Sequence, residues 1–146
     1  MPPSCGTVRA VKLMPLRLPP GADLRAAIEA AMSQRGSSAS FVLSGIGSLT
    51  DTKLRLAGAQ EITTIIGSAE IVSISGSVSP DGAHLHMAVA DAQGVVLGGH
   101  VVYGNTVRTT AEVLLGLLPA WEFARELDPA TGFKELVIRA VGTDDA

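Results

Sequence analysis

The sequence predicts an α+β fold, with a largely antiparallel, twisted sheet and one principal helix. From residue 39 onward, short apolar segments are separated by Gly, Pro-Asp-Gly and Ala-Gln-Gly turns, which is typical of antiparallel strands. One earlier segment repeats its apolar residues every three or four positions, as a helix with one buried face does. Because no repeat, linker or second composition appears, we expect a single domain over residues 1–146, with its core at about residues 8–140.

The first strand and the helix are predicted near the beginning of the chain. Residues 7–18 alternate roughly between polar and apolar and indicate a strand that Pro15 interrupts. The helix is expected to begin at Asp23 or Gly21 and to end before Gly36. Its buried face should carry Leu24, Ala27, Ile28, Ala31 and Met32.

Short strands follow, with one ambiguous segment. The predicted strands cover residues 41–43, 52–56, 62–66, 69–78, 83–90, 95–103 and 135–141. The Gly-rich segment at residues 44–48 has no Lys-Ser/Thr after it and opens no helix, so we predict a turn or bulge rather than a phosphate loop. Residues 106–118 begin with β-branched residues and could continue as strand or helix. Residues 128–132 are predicted to form a loop.

The composition favours an oligomer and argues against nucleic-acid binding. Hydrophobic residues make up 47% of the chain and charged residues only 17%, so we expect part of the surface to be buried against identical subunits. The net charge is −3, the isoelectric point is about 5.5, and no cluster of basic residues appears. Proteins that grip DNA neutralise phosphates with Lys and Arg, so direct DNA binding is disfavoured, although the arginines could still form a local patch.

The cysteine count and the apolar runs point to the cytoplasm. Cys5 is the one cysteine of the chain and cannot form an internal disulfide, so nothing indicates an oxidising compartment. No run approaches the roughly 18–20 apolar residues that a membrane span needs, and no signal-peptide pattern is present. We therefore expect a cytoplasmic protein that does not contact membranes.

A hairpin is predicted to bring the histidines of the chain together. His84 and His86 are two residues apart in a strand, so their side chains share one face of the sheet. The residues Ala92-Gln93-Gly94 fit a three-residue hairpin loop in which Asp91 opposes Val95. This register places His86 opposite His100.

The same register places His84 opposite Val102 and diagonal to His100, so the three imidazoles would share one face. The expected Cβ separations from His100 are about 5 Å for His86 and about 7 Å for His84. Three imidazoles suit Zn, Ni, Cu or Fe and leave coordination positions for water or substrate, and zinc is our first choice. Gly98-Gly99 would allow a close backbone approach or a bulge beside His100.

Two alternatives to a metal site stay open. Three neutral histidines on one face could form a hydrogen-bonded polar patch, and a two-residue loop would turn His100 to the opposite face. Candidate neighbours of the site are Arg55 and Glu112, which could contact the ligands or a bound molecule; Asp81, Asp91 and Arg108 are further candidates for such contacts. Each of these charged residues is also typical of a turn or of a solvated surface.

These segments resemble a known family, the PPC domain (plants and prokaryotes conserved), catalogued as a domain of unknown function. The resemblance is carried by FVLSGIGSLTDTKLRL at residues 41–56, by GSAEIVSISGSVSPDGAHLHMAVADAQGVVLGGH at residues 67–100 and by TTAEVLLG at residues 109–116. It covers about residues 8–140 and implies an α+β fold and a homotrimer. In prokaryotic members the pattern HxH…GGH is proposed to bind a metal ion, and it falls here on His84, His86 and His100.

The resemblance also raises a DNA-associated function. Plant relatives carry the domain behind AT-hook segments and act as nuclear regulators, but this chain has no Gly-Arg-Pro hook core and no basic arm. Three hypotheses result: a trimeric metal-binding module with no assigned role, a DNA-associated regulatory protein, and a purely structural trimer. The sequence supports no particular reaction class.

Overall fold

A computed structural model describes residues 9–142, so Cys5 lies outside the described residues. No helix within this range is long and apolar enough to cross a membrane. The elements are, in chain order, β1 (Lys12–Leu18), α1 (Leu24–Gln34), β2 (Ser40–Arg55), β3 (Ile62–Ser79), β4 (Gly82–Asp91), β5 (Val96–Val101), β6 (Thr106–Leu117), β7 (Trp121–Leu127) and β8 (Lys134–Ala140).

The strands form a six-stranded sheet and a separate hairpin. The order in the sheet is β1-β6-β2-β3-β4-β5, and all of these pairings are antiparallel. β5, at the edge of the sheet, also pairs with the end of β2. The sheet is therefore strongly curled, because β5 and β2 are separated by two strands in the order. β7 and β8 form a two-stranded sheet of their own. The predicted α+β class, mostly antiparallel with one helix, is confirmed.

The helix begins and ends where its sequence signals predict. The side chain of Asp23 caps α1, because its Oδ1 accepts a hydrogen bond of 2.9 Å from the backbone N–H of Ala26. Gly36, with φ of 61°, follows the last turn. Leu24, Ile28 and Met32 are buried, and the expected Ala27 and Ala31 pack against the core as partly buried residues. One face of α1 therefore covers the sheet, with contacts to β4, β6 and β3.

β2 and β3 are each one long strand where the sequence predicted two short ones. The Gly-rich segment at residues 44–48 lies inside β2 and coincides with register shifts against β6. Of the two predictions for this segment, the bulge is therefore confirmed and the prediction of a turn between strands is wrong. Another register shift, between β2 and β3, lies at Asp51, whose φ is 52°. The Oδ1 of Asp51 accepts a hydrogen bond of 2.7 Å from the N–H of Gly67, so a side chain holds the backbone where the ladder shifts. The glycines bend these strands without ending them.

The last third of the chain departs most from the sequence prediction. Of the ambiguous residues 106–118, Thr106–Leu117 form a strand, β6, because β1 and β2 bond to its two edges. The sequence analysis did not predict β7. It did predict the loop at residues 128–132 and a strand at residues 135–141, which corresponds to β8. Phe123 packs β7 against the sheet. Its side chain is buried, and its ring contacts the ring of Phe41 edge-to-face at a centroid distance of 5.5 Å. The hairpin β7–β8 therefore lies against the end of the sheet where β2 begins.

Candidate metal centre

The turn between β4 and β5 has the predicted three-residue form. The N–H of Asp91 donates to the carbonyl oxygen of Val95 at 3.0 Å, and the N–H of Gly94 donates to the carbonyl oxygen of Asp91 at 2.9 Å. Gly94 has φ of 79°, a conformation that glycine adopts without strain. The Oδ1 of Asp91 also accepts from the N–H groups of Gln93 and Val95, each at 2.9 Å. Asp91 is thus a turn residue and does not approach the histidines.

The turn sets the register of the hairpin. β4 and β5 pair from Ala90 and Val96 to His86 and His100, without a shift. The predicted opposition of His86 and His100 is confirmed. The ladder ends there, since β5 stops at Val101, and the expected pairing of His84 with Val102 does not form.

The three imidazoles converge on one side of this hairpin. Nε2 of His86 lies 3.2 Å from Nε2 of His84 and 3.1 Å from Nδ1 of His100. The three nitrogen atoms that could act as ligands all lie within 4.8 Å of one another. The rings of His84 and His100 are nearly parallel, at an angle of 17°, and the ring of His86 stands edge-on to both.

The contacts of the His86 nitrogen fit metal ligands better than a hydrogen-bonded patch. An imidazole nitrogen has one in-plane position, which holds either a proton or a lone pair. Nε2 of His86 can therefore form a normal hydrogen bond with one of its two close nitrogen neighbours, and the second contact is left without a proton. Nitrogen ligands about 2.0–2.1 Å from a tetrahedral ion lie roughly 3.3 Å from each other, close to the two observed spacings. The donor set fits an ion at this position.

The surroundings keep two of the rings neutral. Partial burial lowers the pKa of His84, and the positive charge of Arg125 and the neighbouring imidazoles lower it further. Partial burial also lowers the pKa of His100, with additional effects of His86 and Arg55. Both rings therefore lose their protons at a lower pH than a free histidine does, and their lone pairs are available near pH 7.

β2 and β5 approach each other closely next to His100. A Cβ atom added to Gly99 would lie 2.8 Å from the carbonyl oxygen of Arg55, so only glycine fits between β5 and β2. The β4–β5 ladder has no register shift at Gly98-Gly99. Of the two interpretations of this pair, the structure shows the close approach and not the bulge.

A buried asparagine fixes the chain that leaves β5. Asn105 is fully buried, and its Oδ1 accepts a hydrogen bond of 2.8 Å from the N–H of Lys53. Its Nδ2 donates to the carbonyl oxygens of Lys53 at 2.9 Å and of Val102 at 2.8 Å. The sequence analysis did not single out Asn105, since a lone asparagine between strands is indistinguishable from an ordinary turn residue.

The predicted charged neighbours are divided between two places. Arg55 lies opposite His100 across β2 and β5 and lines a cleft beside the histidines. Asp81 lines the same cleft, and its Oδ2 accepts a hydrogen bond of 2.8 Å from the N–H of Arg125. Glu112 does not reach the histidines of its own chain: it lies on β6 opposite Ile46 and lines a separate groove, so its expected position beside the ligands is wrong. Arg108 is exposed on β6.

Two further cations reach this cleft from the hairpin β7–β8, of which only the second strand was predicted. Arg125 on β7 and Lys134 on β8 line it together with His84. The alternation of Trp121, Phe123 and Leu127 with polar residues was the signal that could have predicted β7.

Known proteins share both the sequence and the fold. Two curated relatives, each a bifunctional protein GlmU from a Synechococcus strain, are 44% and 46% identical over 99% and 90% of this chain. The chain spans about a fifth of their length, 22% and 21%. The structure of a hypothetical protein from Salmonella enterica is 40% identical, covers 90% of this chain and 95% of its own, and superposes with a TM-score of 0.86.

A metal-containing protein from Archaeoglobus fulgidus has a similar structure. It is 28% identical, covers 86% of this chain and 93% of its own, and superposes with a TM-score of 0.76. A structure from Bacteroides thetaiotaomicron whose name proposes DNA binding covers 88% of this chain and 96% of its own at a TM-score of 0.75; at 18% identity it shows the fold alone. The profile of one family matches residues 6–119. The chain belongs to the Plants and Prokaryotes Conserved (PCC) domain family, also written PPC.

Proposed function

We propose that this protein is a metal-binding module in which His84, His86 and His100 hold one divalent ion. The observation that carries the proposal is the position of the His86 Nε2 atom, 3.2 Å and 3.1 Å from nitrogen atoms of the other two rings. A shared cation accepts a lone pair from each ring and accounts for both contacts. The metal-containing relative from Archaeoglobus fulgidus supports this proposal.

Zinc is the ion that we propose for this site. Imidazole nitrogens suit Zn²⁺, and three protein ligands with a fourth, open position are the arrangement that zinc adopts where it keeps a water molecule. His86 is exposed, so the open position would be reached from solvent. The ion would supply Lewis acidity and a polarised water there, and the lowered pKa values of His84 and His100 would favour its binding at neutral pH.

Elemental analysis of protein purified without a histidine tag tests the proposal. We expect close to one zinc ion per chain after dialysis against zinc, and a loss of stoichiometric metal in His86→Ala. Ser75→Ala is the matched control, because Ser75 is exposed and lies opposite His86 on β3 but offers no imidazole. Metal retained at full stoichiometry in His86→Ala, or absent from the unaltered protein, would refute the site.

We also propose that the chain assembles as a homotrimer, as its family resemblance implies. The outer face of β1, β6 and β2 supports an assembly, because Leu13, Leu43 and Ile46 are each more than half exposed there. Leu13 lies opposite Gly116, and the side chain of Leu43 covers the same glycine, so these apolar groups form one patch. Light scattering should give three times the chain mass of 15.0 kDa, and Leu43→Glu should lower it. A monomer mass for the unaltered protein would contradict the trimer.

DNA association is the competing proposal, and it draws support from the names of distant relatives such as the Bacteroides protein. The net charge of −3 weighs against it, since non-specific binding requires neutralised phosphates. A gel-shift assay at physiological salt distinguishes the two functions. Binding at micromolar protein would support the DNA-associated function, and we expect no shift.

A further inference from the structure

A cleft of about 300 Å³ opens beside the histidines. His84 and His100 form part of its wall. The charged side chains that line it are Arg25, Arg55, Arg125, Lys134 and Asp81. Four cationic groups thus face one carboxylate, an excess of positive charge in a chain whose overall charge is −3.

Two of the three arginines that line the cleft have little compensation from carboxylates of the protein. Arg25 already forms an ion pair with Glu29, since its Nε lies 3.0 Å from Oε1 of that residue. In contrast, no carboxylate within the described range lies within 4.0 Å of the Arg55 guanidinium, and that of Arg125 reaches only Glu135, at 4.0 Å. Arg55 and Arg125 are therefore the arginines of the cleft that are free to bind an anion, and Lys134 has no ion pair within the described range either.

Arg125 has an unsatisfied donor. Its Nη1 is buried and has no hydrogen-bond partner among residues 9–142, although its Nη2 donates to the carbonyl oxygen of Lys134. A buried donor without an acceptor costs about 1–3 kcal/mol, and more when it is charged. Buried polar groups in native proteins nearly always have a partner, so this atom calls for an acceptor that the described chain does not supply.

The position of Arg125 is fixed by two other contacts. Its backbone N–H donates to Asp81, two residues after the buried ring of Phe123 anchors the same strand. These contacts hold the backbone of β7, and the bond from Nη2 to the carbonyl oxygen of Lys134 holds the guanidinium itself, so the group is placed before a ligand arrives. Such preorganisation reduces the entropy lost on binding.

We propose that this cleft binds a small molecule bearing a carboxylate or phosphate group, held by Arg55 and Arg125 next to the histidine site. Arginine forms paired hydrogen bonds with either oxyanion, and the cleft volume is at the lower end for small-molecule sites. The part of the proposal that concerns the metal rests on the proposed function. An anion would balance the combined positive charge of the ion and the two arginines, so each should strengthen the binding of the other by the same factor.

The segment that supplies Arg125 and Lys134 lies beyond residues 6–119, the part that the family profile matches. The histidines and Arg55 belong to the matched part, whereas two of the cations come from the hairpin after it. We therefore infer that the hairpin β7–β8 completes the anion site by adding two cations to the part of the fold that the family profile matches.

Calorimetric titration of the full chain with sodium phosphate and with sodium acetate, at constant ionic strength and in chloride buffer, tests the proposal. Metal-free and zinc-loaded protein are both titrated. We expect saturable binding that Arg125→Gln and Arg55→Gln each weaken about tenfold or more. Arg108→Gln removes an exposed arginine outside the cleft and should leave binding unchanged. Arg55→Gln keeps the test decisive if Arg125→Gln disturbs the hairpin, and circular dichroism checks the fold of each variant.

The outcomes separate this inference from the metal proposal. Saturable binding to the metal-free protein that is lost in both arginine variants supports the anion site even if no metal binds. Zinc binding without saturable binding of either anion overturns the anion site and leaves the metal proposal intact. Equal weakening by Arg55→Gln, Arg125→Gln and Arg108→Gln also overturns it, because that result indicates only general charge attraction. Tighter binding of phosphate than of acetate favours a phosphate group as the anion that the cleft holds, and the reverse favours a carboxylate.

Discussion

His86 and His100 lie directly opposite each other on β4 and β5, and Nε2 of His86 is 3.1 Å from Nδ1 of His100. Fourteen residues separate them in the chain, and the turn at Asp91 determines that they meet. A slip of one residue in this ladder would send the His100 ring to the other face of the sheet. The candidate site therefore depends on the turn and on the strands that hold β5 in place.

Replacing Asp91 with alanine should weaken both the hairpin and the metal site. The substitution removes the acceptor of two backbone hydrogen bonds, from Gln93 and Val95, and we expect the free energy of unfolding to fall by about 1–2 kcal/mol. Urea unfolding of the metal-free protein measures this, and zinc affinity should fall with it. Asp91→Asn keeps an oxygen acceptor and should retain most of the stability. Equal losses in the two variants would show that the side-chain bonds are not the cause.

A methyl group at Gly99 should force β5 away from β2. The added Cβ would lie 2.8 Å from the carbonyl oxygen of Arg55, which is backbone and cannot rotate away. We expect Gly99→Ala to lower the free energy of unfolding by about 1–3 kcal/mol, as overpacking does. Gly142→Ala is the control, because nothing lies within 4 Å of its added Cβ. An unchanged unfolding midpoint for Gly99→Ala would contradict the close approach.

Removing the side chain of Asn105 should be among the most damaging polar substitutions. Asn105→Ala leaves the N–H of Lys53 and the carbonyl oxygens of Lys53 and Val102 without their hydrogen-bond partner in the protein interior. Each unsatisfied group costs about 1–3 kcal/mol, so we expect a loss of at least about 2 kcal/mol in chemical unfolding. Gln93→Ala, at an exposed turn position, should have almost no effect. A small loss for Asn105→Ala would show that water replaces these bonds.

Acid should destabilise the metal-free protein through His84 and His100. Their pKa values in the folded protein are below the ordinary value of 6.5, so the unfolded chain binds more protons between the two values. The stability that the neutral rings contribute is present above pH 6.5 and is lost as the pH falls through the folded pKa. Urea unfolding between pH 8 and pH 5, with a chelator present, should show this decline. His84→Gln combined with His100→Gln should flatten it, and an unchanged slope would contradict the assignment.

Local sequence signals predicted the parts of the site that lie within one hairpin. The alternation of β4 places His84 and His86 on one face, and Ala92-Gln93-Gly94 sets the register, so His86 and His100 could be paired before any coordinates. The same reasoning failed for β2 and β3, because glycines that could end a strand instead bend one whose neighbours continue on both edges. It also missed β7, whose apolar alternation is short and leaves Trp121 partly exposed.

The sequence alone determined the fold class, the helix and the meeting of the histidines, because these depend on periodicity and turn chemistry within a few residues. Only the tertiary structure placed Arg55 beside His100 and Arg125 beside His84, and moved Glu112 to a separate groove. Those positions depend on the curl that joins β5 to β2 and on the packing of Phe123 against Phe41. Contacts between segments so distant in the chain are set by packing of the whole core, and no local pattern records them.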